Sequence, residues 1–265
     1  RSYLCIGLDS DADKIPSHIK NRKEPLFEFN KSVVDHTHPY CVAYKINTAF
    51  YEALGSYGWK ALEKTTDYIR KHHPQIFLIA DAKRADIGNT AKMYARAFFT
   101  KLDFDAITLS PYMGKDSIQP FLEHQDKWII ILALTSNPSA SDLQYFYSEL
   151  EGQKLFEKVV ASSLSLGSPD NTMYVVGATR PEELKKVRAL APDHFLLVPG
   201  IGTQGGSLEQ ISMTGMNKHC GLLVNASRSI IFRDTTEQFA MEAKNKASDL
   251  QKKMEVYLQS MNLIS

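Results

Sequence analysis

Between residues 78 and 91 the chain reads Leu-Ile-Ala-Asp81-Ala-Lys83-Arg-Ala-Asp86-Ile87-Gly-Asn-Thr90-Ala, two carboxylates closely flanking an ammonium group. In a strand, side chains alternate, so Asp81 and Lys83 face the same way. Asp86 falls three residues on, where the chain turns towards a helix. Alone, such a pattern is most simply a solvated cluster or a set of helix-start acids. Asp9 and Lys45, each at the end of another short apolar run, change that reading, because five charges at neighbouring strand ends exceed what a surface needs. Nearby carboxylates favour the charged form of Lys83, whereas a Schiff-base lysine needs an apolar or cationic setting. Lys83 is therefore expected to act as an ammonium that stabilises growing negative charge and surrenders a proton. Its natural client is a carbanion or an enolate.

A second constellation suits an anion. Pro199-Gly-Ile-Gly-Thr-Gln204-Gly-Gly206 follows one apolar run, and Asn225-Ala-Ser227-Arg228-Ser229 follows the next. Glycines let backbone amides approach a phosphate, a helix start adds donors, and a guanidinium offers a planar fork. Other reactive residues carry less. His36, His38, His72 and His73 are placed near helix ends and read as dipole partners rather than metal ligands. Cys5, Cys41 and Cys220 lack metal-ligand spacing and read as packing residues. Phe98-Phe99 and Tyr145-Phe146-Tyr147 read as core or interface. No metal site is expected.

The elements that must hold these groups alternate along the whole chain. Apolar runs lie at Tyr3–Gly7, Cys41–Ile46, Ile76–Ala80, Ala106–Leu109, Trp128–Leu134, Met173–Val176, Phe195–Val198 and Gly221–Val224. They lack alternation, as strands buried on both faces do. Helical patterns separate them at Pro25–His36, Ile87–Lys101, Ser117–His124, Leu155–Leu166 and Pro181–Leu190, and Glu237–Ser260 reads as a closing amphipathic helix. Eight such units predict an α/β fold, a (β/α)₈ TIM barrel, as one domain over residues 1–265. Barrel chemistry sits where strands end and βα loops begin, which is where the charged residues fall. The polar stretch 136–152 reads as an active-site loop.

Composition sets the outer limits. The 265 residues are 43% hydrophobic with a net charge of +1, which excludes a disordered chain. Near-neutral charge gives no general reason to bind nucleic acid or an anionic membrane. The longest apolar run, Trp128–Leu134, is far short of a membrane span. The first apolar segment ends at Asp9, too early for a secretory leader. Three widely spaced cysteines suit a reducing compartment, and the expected location is cytoplasmic.

The Leu78–Ala91 segment resembles the signature of the orotidine 5′-phosphate decarboxylase family, in its longer bacterial-type branch. Cys5-Ile-Gly-Leu-Asp9, Ala43-Tyr-Lys45-Ile-Asn, Ser110-Pro-Tyr-Met-Gly114, Thr135-Ser-Asn-Pro138, Val198–Gln204 and Asn225–Arg228 are similar to its flanking blocks, in order, across about residues 3–233. The resemblance implies a cofactor-free conversion of orotidine 5′-monophosphate to UMP and CO₂. It implies a charged network of Asp9, Lys45, Asp81, Lys83 and Asp86, with Lys83 as proton donor to C6 of the pyrimidine. It also implies a homodimer in which Asp86 and Thr90 enter the neighbouring site, a pyrimidine contact from Ser136, and phosphate contacts from Gln204 and Arg228. Ile87, Pro199 and Ser227 complete the implied substrate-binding set. Ser110 stands where many relatives carry Asn. Two other readings are distinguishable. A Mg²⁺-dependent 3-keto-gulonate 6-phosphate-type decarboxylase would place an acid where this chain has Lys45, whose charge repels a metal. A non-catalytic phosphate-binding barrel would have lost the charged set, which is intact here.

Overall fold

The computed structural model describes residues 1–201 and 205–265. Its strands are β1 (Leu4–Gly7), β2 (Ala43–Asn47), β3 (Phe77–Arg84), β4 (Ala106–Leu109), β5 (Trp128–Leu134), β6 (Tyr147–Ser148), β7 (Gln153–Lys154), β8 (Thr172–Val176), β9 (Phe195–Pro199) and β10 (Leu222–Ala226). Eight of them close into a parallel barrel in the order β1-β10-β9-β8-β5-β4-β3-β2, while β6 and β7 pair as a separate antiparallel hairpin. Each expected apolar run falls on a barrel strand. The instructive difference is at the carboxyl ends. Strand β3 continues to Arg84, so Asp81 and Lys83 lie on the strand rather than past it, and Lys45 and Asn225 likewise lie within β2 and β10.

Alternation along these strands splits the apolar residues into two sets. Leu4, Ile6, Tyr44, Ile46, Leu78 and their neighbours face the helices. Cys5, Ala43, Ile79, Ala106, Ile130, Leu197 and Leu223 belong to a second cluster that fills the barrel. Phe77, Trp128 and Phe195 pack against it, the Trp128 ring meeting the other two edge-on with centroids 6.1 and 6.4 Å apart. Two residues beyond Ala43, Ile79, Ala106 and Leu223 come Lys45, Asp81, Thr108 and Asn225. All four polar side chains are buried. The barrel's inner face thus changes from apolar to charged as it rises to the mouth.

The helical ring follows the sequence pattern with informative departures. Pro25–Thr37, Pro181–Leu190 and Phe239–Ser260 form close to expectation. Pro181 occupies the first turn of its helix beside Glu182 and Glu183, where a missing amide and negative charge both suit the helix start. The expected Ile87–Lys101 helix is α-helical over Gly88–Ala95 and widens to a π-helix over Arg96–Lys101. Helix Leu155–Ser163 stops short of Leu166. The expected Ser117–His124 helix is only two short turns, Lys115–Ser117 and Gln119–Leu122. Gly55–His72 is a long helix that apolar periodicity did not mark, because its buried face is built from Gly58, Ala61, Leu62, Thr65, Thr66 and Ile69, half of them glycine or threonine. Segment 136–152 is less of a loop than its polarity suggests, carrying the turn Ala140–Leu143 and most of the β6–β7 hairpin.

The other expected minor residues resolve simply. Cys5 and Cys41 are buried, and burial pushes the Cys41 thiol up to about 12, far from a reactive thiolate. Cys41 and Cys220 precede their strands rather than lying on them. His38 stacks on His73 with centroids 4.0 Å apart. Phe98 and Phe99 are core residues, whereas Phe146 and Tyr147 are exposed on the hairpin segment.

Candidate active site

The charged residues form a continuous chain of contacts with Asp81 at its centre. Asp81 Oδ2 accepts from Lys45 Nζ at 2.7 Å, and Asp81 Oδ1 accepts from Lys83 Nζ at 2.6 Å. Lys45 Nζ also lies 3.6 Å from Asp9 Oδ1. Burial alone would raise the pKa of Asp81, but the Lys45 and Lys83 ammonium groups hold its carboxyl well below the usual range. Burial alone would lower the pKa of Lys45, and the charges of Asp81 and Asp9 overcome it and lift Lys45 above its ordinary value. Both buried partners are therefore charged at neutral pH. Lys83 differs from Lys45 in exposure, 47% against 5% for the side chains. One lysine is a fixed internal counter-ion, and the other reaches the solvent-facing mouth.

Asp9 is held by the backbone on either side of it. Leu8 N donates to Lys45 O at 2.8 Å, and Tyr51 OH donates to Leu8 O at 3.2 Å. Ser10 Oγ donates to Asn30 Oδ1 at 2.6 Å, and Asn30 Nδ2 donates to Tyr51 OH at 2.8 Å and Thr65 Oγ1 at 3.0 Å. Ser10, Asn30, Tyr51 and Thr65 are all buried, so three helices lock this turn through a satisfied polar network. Asp9 Oδ1 itself is buried without a hydrogen-bond partner among the described residues, as is Asn225 Oδ1. Asp9 and Asn225 both line the adjoining cavity, so these acceptors lie at its wall with hydrogen-bonding capacity left unused.

That cavity has a volume of about 150 Å³ and is bounded by Asp9, Lys45, Asp81, Pro199, Asn225 and Arg228, with Ser227 beside them. Ser227 Oγ donates to Gly7 O at 3.1 Å. A Cβ on Gly7 would stand 2.7 Å from Ser227 Cβ, so only glycine at this point of β1 lets the segment after β10 close over it. Gly200 takes φ +107, a conformation open to glycine, and starts the loop after β9. Arg228 is exposed at the rim and makes no ion pair among the described residues. Gln204 lies outside the described residues.

The remaining expected residues are dispersed. Ser136 is on the segment after β5, the strand diametrically opposite β1 in the barrel order, and it does not line the cavity around Asp9. Gly177 abuts it, a Cβ there falling 2.9 Å from Ser136 N. Neighbouring Thr135 is fixed by Gln144, whose side chain accepts from Thr135 N and donates to Thr135 Oγ1, both at 2.8 Å. Asp86 is partly buried, makes no ion pair among the described residues, and accepts from Ile87 N at 2.8 Å. Ile87 is 51% exposed, and Thr90 is also exposed. Within one chain, Asp86, Ile87 and Thr90 therefore stand apart from the charged chain. Two contributors were not singled out from sequence, Thr108 and Gln144. Thr108 was legible in principle, since it follows Ala106 by two residues in an apolar run and so shares its inward face.

A closed parallel barrel carries at its mouth a Lys–Asp–Lys chain, buried at Lys45 and Asp81 and half-exposed at Lys83, next to a cavity that Arg228 also bounds, which is the arrangement of a (β/α)₈-barrel protein with a charged site at its strand ends. The comparisons give it a lineage. The profile of the Orotidine 5′-phosphate decarboxylase / HUMPS family matches residues 2–243, and the chain belongs to that family. It is 53% identical to the orotidine 5′-phosphate decarboxylase of Phocaeicola vulgatus, over 96% of this chain and 93% of that protein. The structure of Leishmania donovani OMP decarboxylase superposes with a TM-score of 0.82 at 35% identity, covering 97% and 94% of the two chains. That of Leishmania donovani UMP synthase gives 0.84 at 37% identity, covering 97% of this chain but 54% of that one. The chain thus spans about half the length of that protein.

Proposed function

We propose that this chain, one barrel domain, decarboxylates orotidine 5′-monophosphate to UMP and CO₂ using its own side chains and no cofactor. The observation that carries the reading is the Lys45 ammonium lodged between Asp81 and Asp9, at 2.7 and 3.6 Å. A Mg²⁺-dependent sugar-phosphate decarboxylase of the same family needs its cation near these carboxylates, and here an amine already holds that place. The 53% identical relative from Phocaeicola vulgatus, an orotidine 5′-phosphate decarboxylase, supports the same choice.

The proposed chemistry assigns each of these groups a role. The C6–carboxylate bond breaks, CO₂ departs, and the bonding pair remains at C6 in an sp² orbital that the ring cannot delocalise. Lys83 Nζ stabilises that pair and delivers its proton to C6, and solvent then restores the ammonium. Slow reactions of this type need barrier reductions of up to about 23 kcal/mol or more, and a pre-aligned cation contributes without reorganisation. Asp81 lies beside the departing carboxylate and fixes Lys83. Arg228, Ser227, Pro199 and Gln204 hold the phosphate end, Asp9 accepts from the bound nucleotide, and Ser136 meets the pyrimidine.

The exposure of Ile87 and Thr90, and the separation of Asp86 from the charged chain, suit a homodimer in which the partner subunit receives them. Exposed Ile87, Met93, Tyr112 and Met113 near these loops support it. A cytoplasmic setting fits the unpaired cysteines. The direct test is absorbance on orotidine 5′-monophosphate with and without chelator. Turnover indifferent to chelator is expected; no turnover, or turnover abolished by chelator, overturns the proposal. Mixing Lys83→Ala with Asp86→Ala under subunit exchange should recover activity, because each heterodimer then holds one intact site. An inactive mixture despite verified exchange would place both residues in the same subunit.

A further inference from the structure

Strand β3 does not pair evenly with β4. Ala80 is opposite Ile107 and Arg84 is opposite Leu109, so Asp81, Ala82 and Lys83 together face Thr108 alone. The ladder resumes beyond them, where Ser110 N donates to Arg84 O at 3.0 Å. Bulges of this kind re-aim side chains near functional sites at the expense of regular pairing. Here it places Lys83 at φ +46, a left-handed conformation that L residues avoid. Something must hold it there.

The single residue facing the bulge supplies what the ladder lacks. Thr108 Oγ1 accepts from Lys83 N at 2.9 Å and donates to Asp81 Oδ1 at 3.0 Å. Asp81 Oδ1 in turn accepts from Lys83 Nζ at 2.6 Å. Main-chain nitrogen, threonine hydroxyl, carboxylate and ammonium therefore form a closed ring that grips Lys83 at both ends. Thr108 is buried in the barrel wall and lies outside the residues bounding the cavity at Asp9.

We propose that Thr108 is a positioning residue for Lys83, its hydroxyl holding the strained backbone and aiming the ammonium at the reacting carbon. The proposal rests on the decarboxylase reading, and its effect belongs to the chemical step rather than to binding. Thr108→Ser keeps the hydroxyl and Thr108→Ala removes it, so the pair differs by that oxygen alone. With Thr108→Ser close to wild type, Thr108→Ala should lower kcat about ten- to a hundredfold, as small misplacements of reacting groups do. KM and UMP affinity by calorimetry should stay within about twofold. Thermal midpoints, compared with and without saturating UMP, show that both variants are folded; were Thr108→Ala unfolded, Thr108→Val provides the same contrast with the core volume filled. Equal kcat in the hydroxyl and non-hydroxyl variants overturns the proposal, and so does a loss confined to KM. A wild-type chain inactive on orotidine 5′-monophosphate would instead remove the decarboxylase reading itself.

Discussion

Replacing Lys45 by Met is the sharpest physical test of the charged chain. The methionine fills a similar volume but leaves the buried Asp81 carboxylate with Lys83 as its one nearby cation and the Thr108 hydroxyl as its other donor, and Asp9 without its nearest cation. Lys45 Nζ sits 2.7 Å from Asp81 Oδ2, and both side chains are nearly inaccessible, at 5% and 11%. Removing one partner of such a pair costs about 3–5 kcal/mol. Because Asp81 retains its 2.6 Å contact with Lys83, the lower end is expected. In a domain of this size 1 kcal/mol moves the midpoint by about 2–4 °C, so Lys45→Met should melt roughly 6–12 °C lower at pH 7. Circular dichroism melts across pH add the sign. Asp81 is depressed below its unfolded value, so its contribution is present above about pH 4 and is lost as pH falls towards the folded pKa. Lys45 is raised, so its contribution is complete below about pH 10.4 and is lost as pH climbs through the folded pKa. The gap between wild type and variant should therefore be widest between these limits and narrow at both ends. A gap under about 1 kcal/mol, or one constant from pH 7 to 3, would refute the assignment of a buried, mutually charged pair.

Three further outcomes are expected. Gly177→Ala places a methyl 2.9 Å from Ser136 N; the forced shift should weaken UMP binding about tenfold with a stability loss of about 1–3 kcal/mol, read by calorimetry and urea titration. Tyr51→Phe removes the hydroxyl that donates to Leu8 O and accepts from Asn30 Nδ2; urea titration should show a loss of about 1–3 kcal/mol. Tyr51→Phe should also weaken UMP binding through the Asp9 turn, an effect that should vanish in an Asp9→Ala background; additive affinities would dissociate the two.

Much of the barrel was legible because its strands are buried on both faces. Runs such as Trp128–Leu134 and Ala106–Leu109 are short, rich in β-branched residues and without alternation, and the same runs are strands with unchanged bounds. The Gly55–His72 helix escaped notice since its inner face uses Gly58, Thr65 and Thr66, residues that carry no apolar signal yet pack closely. For the site, composition and order identified Asp9, Lys45, Asp81 and Lys83, which the fold brings within contact. What spacing could not supply was which atoms meet. Nothing in D-x-K-x-x-D indicates that Asp81 bridges two lysines while Asp86 stays out of that chain. Gln144 was invisible for another reason, lying on an excursion whose polarity concealed its short helix and hairpin.

The disagreement at β3 explains why these charges can coexist with a packed barrel. An even strand would carry Lys83 up the inner wall directly above Asp81, adding a further charged layer to the packed barrel at a cost in desolvation. The irregular pairing instead keeps Asp81 in the topmost buried layer, where Lys45 and Thr108 satisfy it, and releases Lys83 into the half-exposed mouth. One local departure thus divides a short sequence between two environments: a carboxylate sunk deep enough to stay ionised only through its lysines, and an ammonium exposed enough to be recharged by solvent. Closing the barrel and arming its mouth are accomplished by the same residues, and for that reason the strain at Lys83 cannot be relieved without disturbing Asp81.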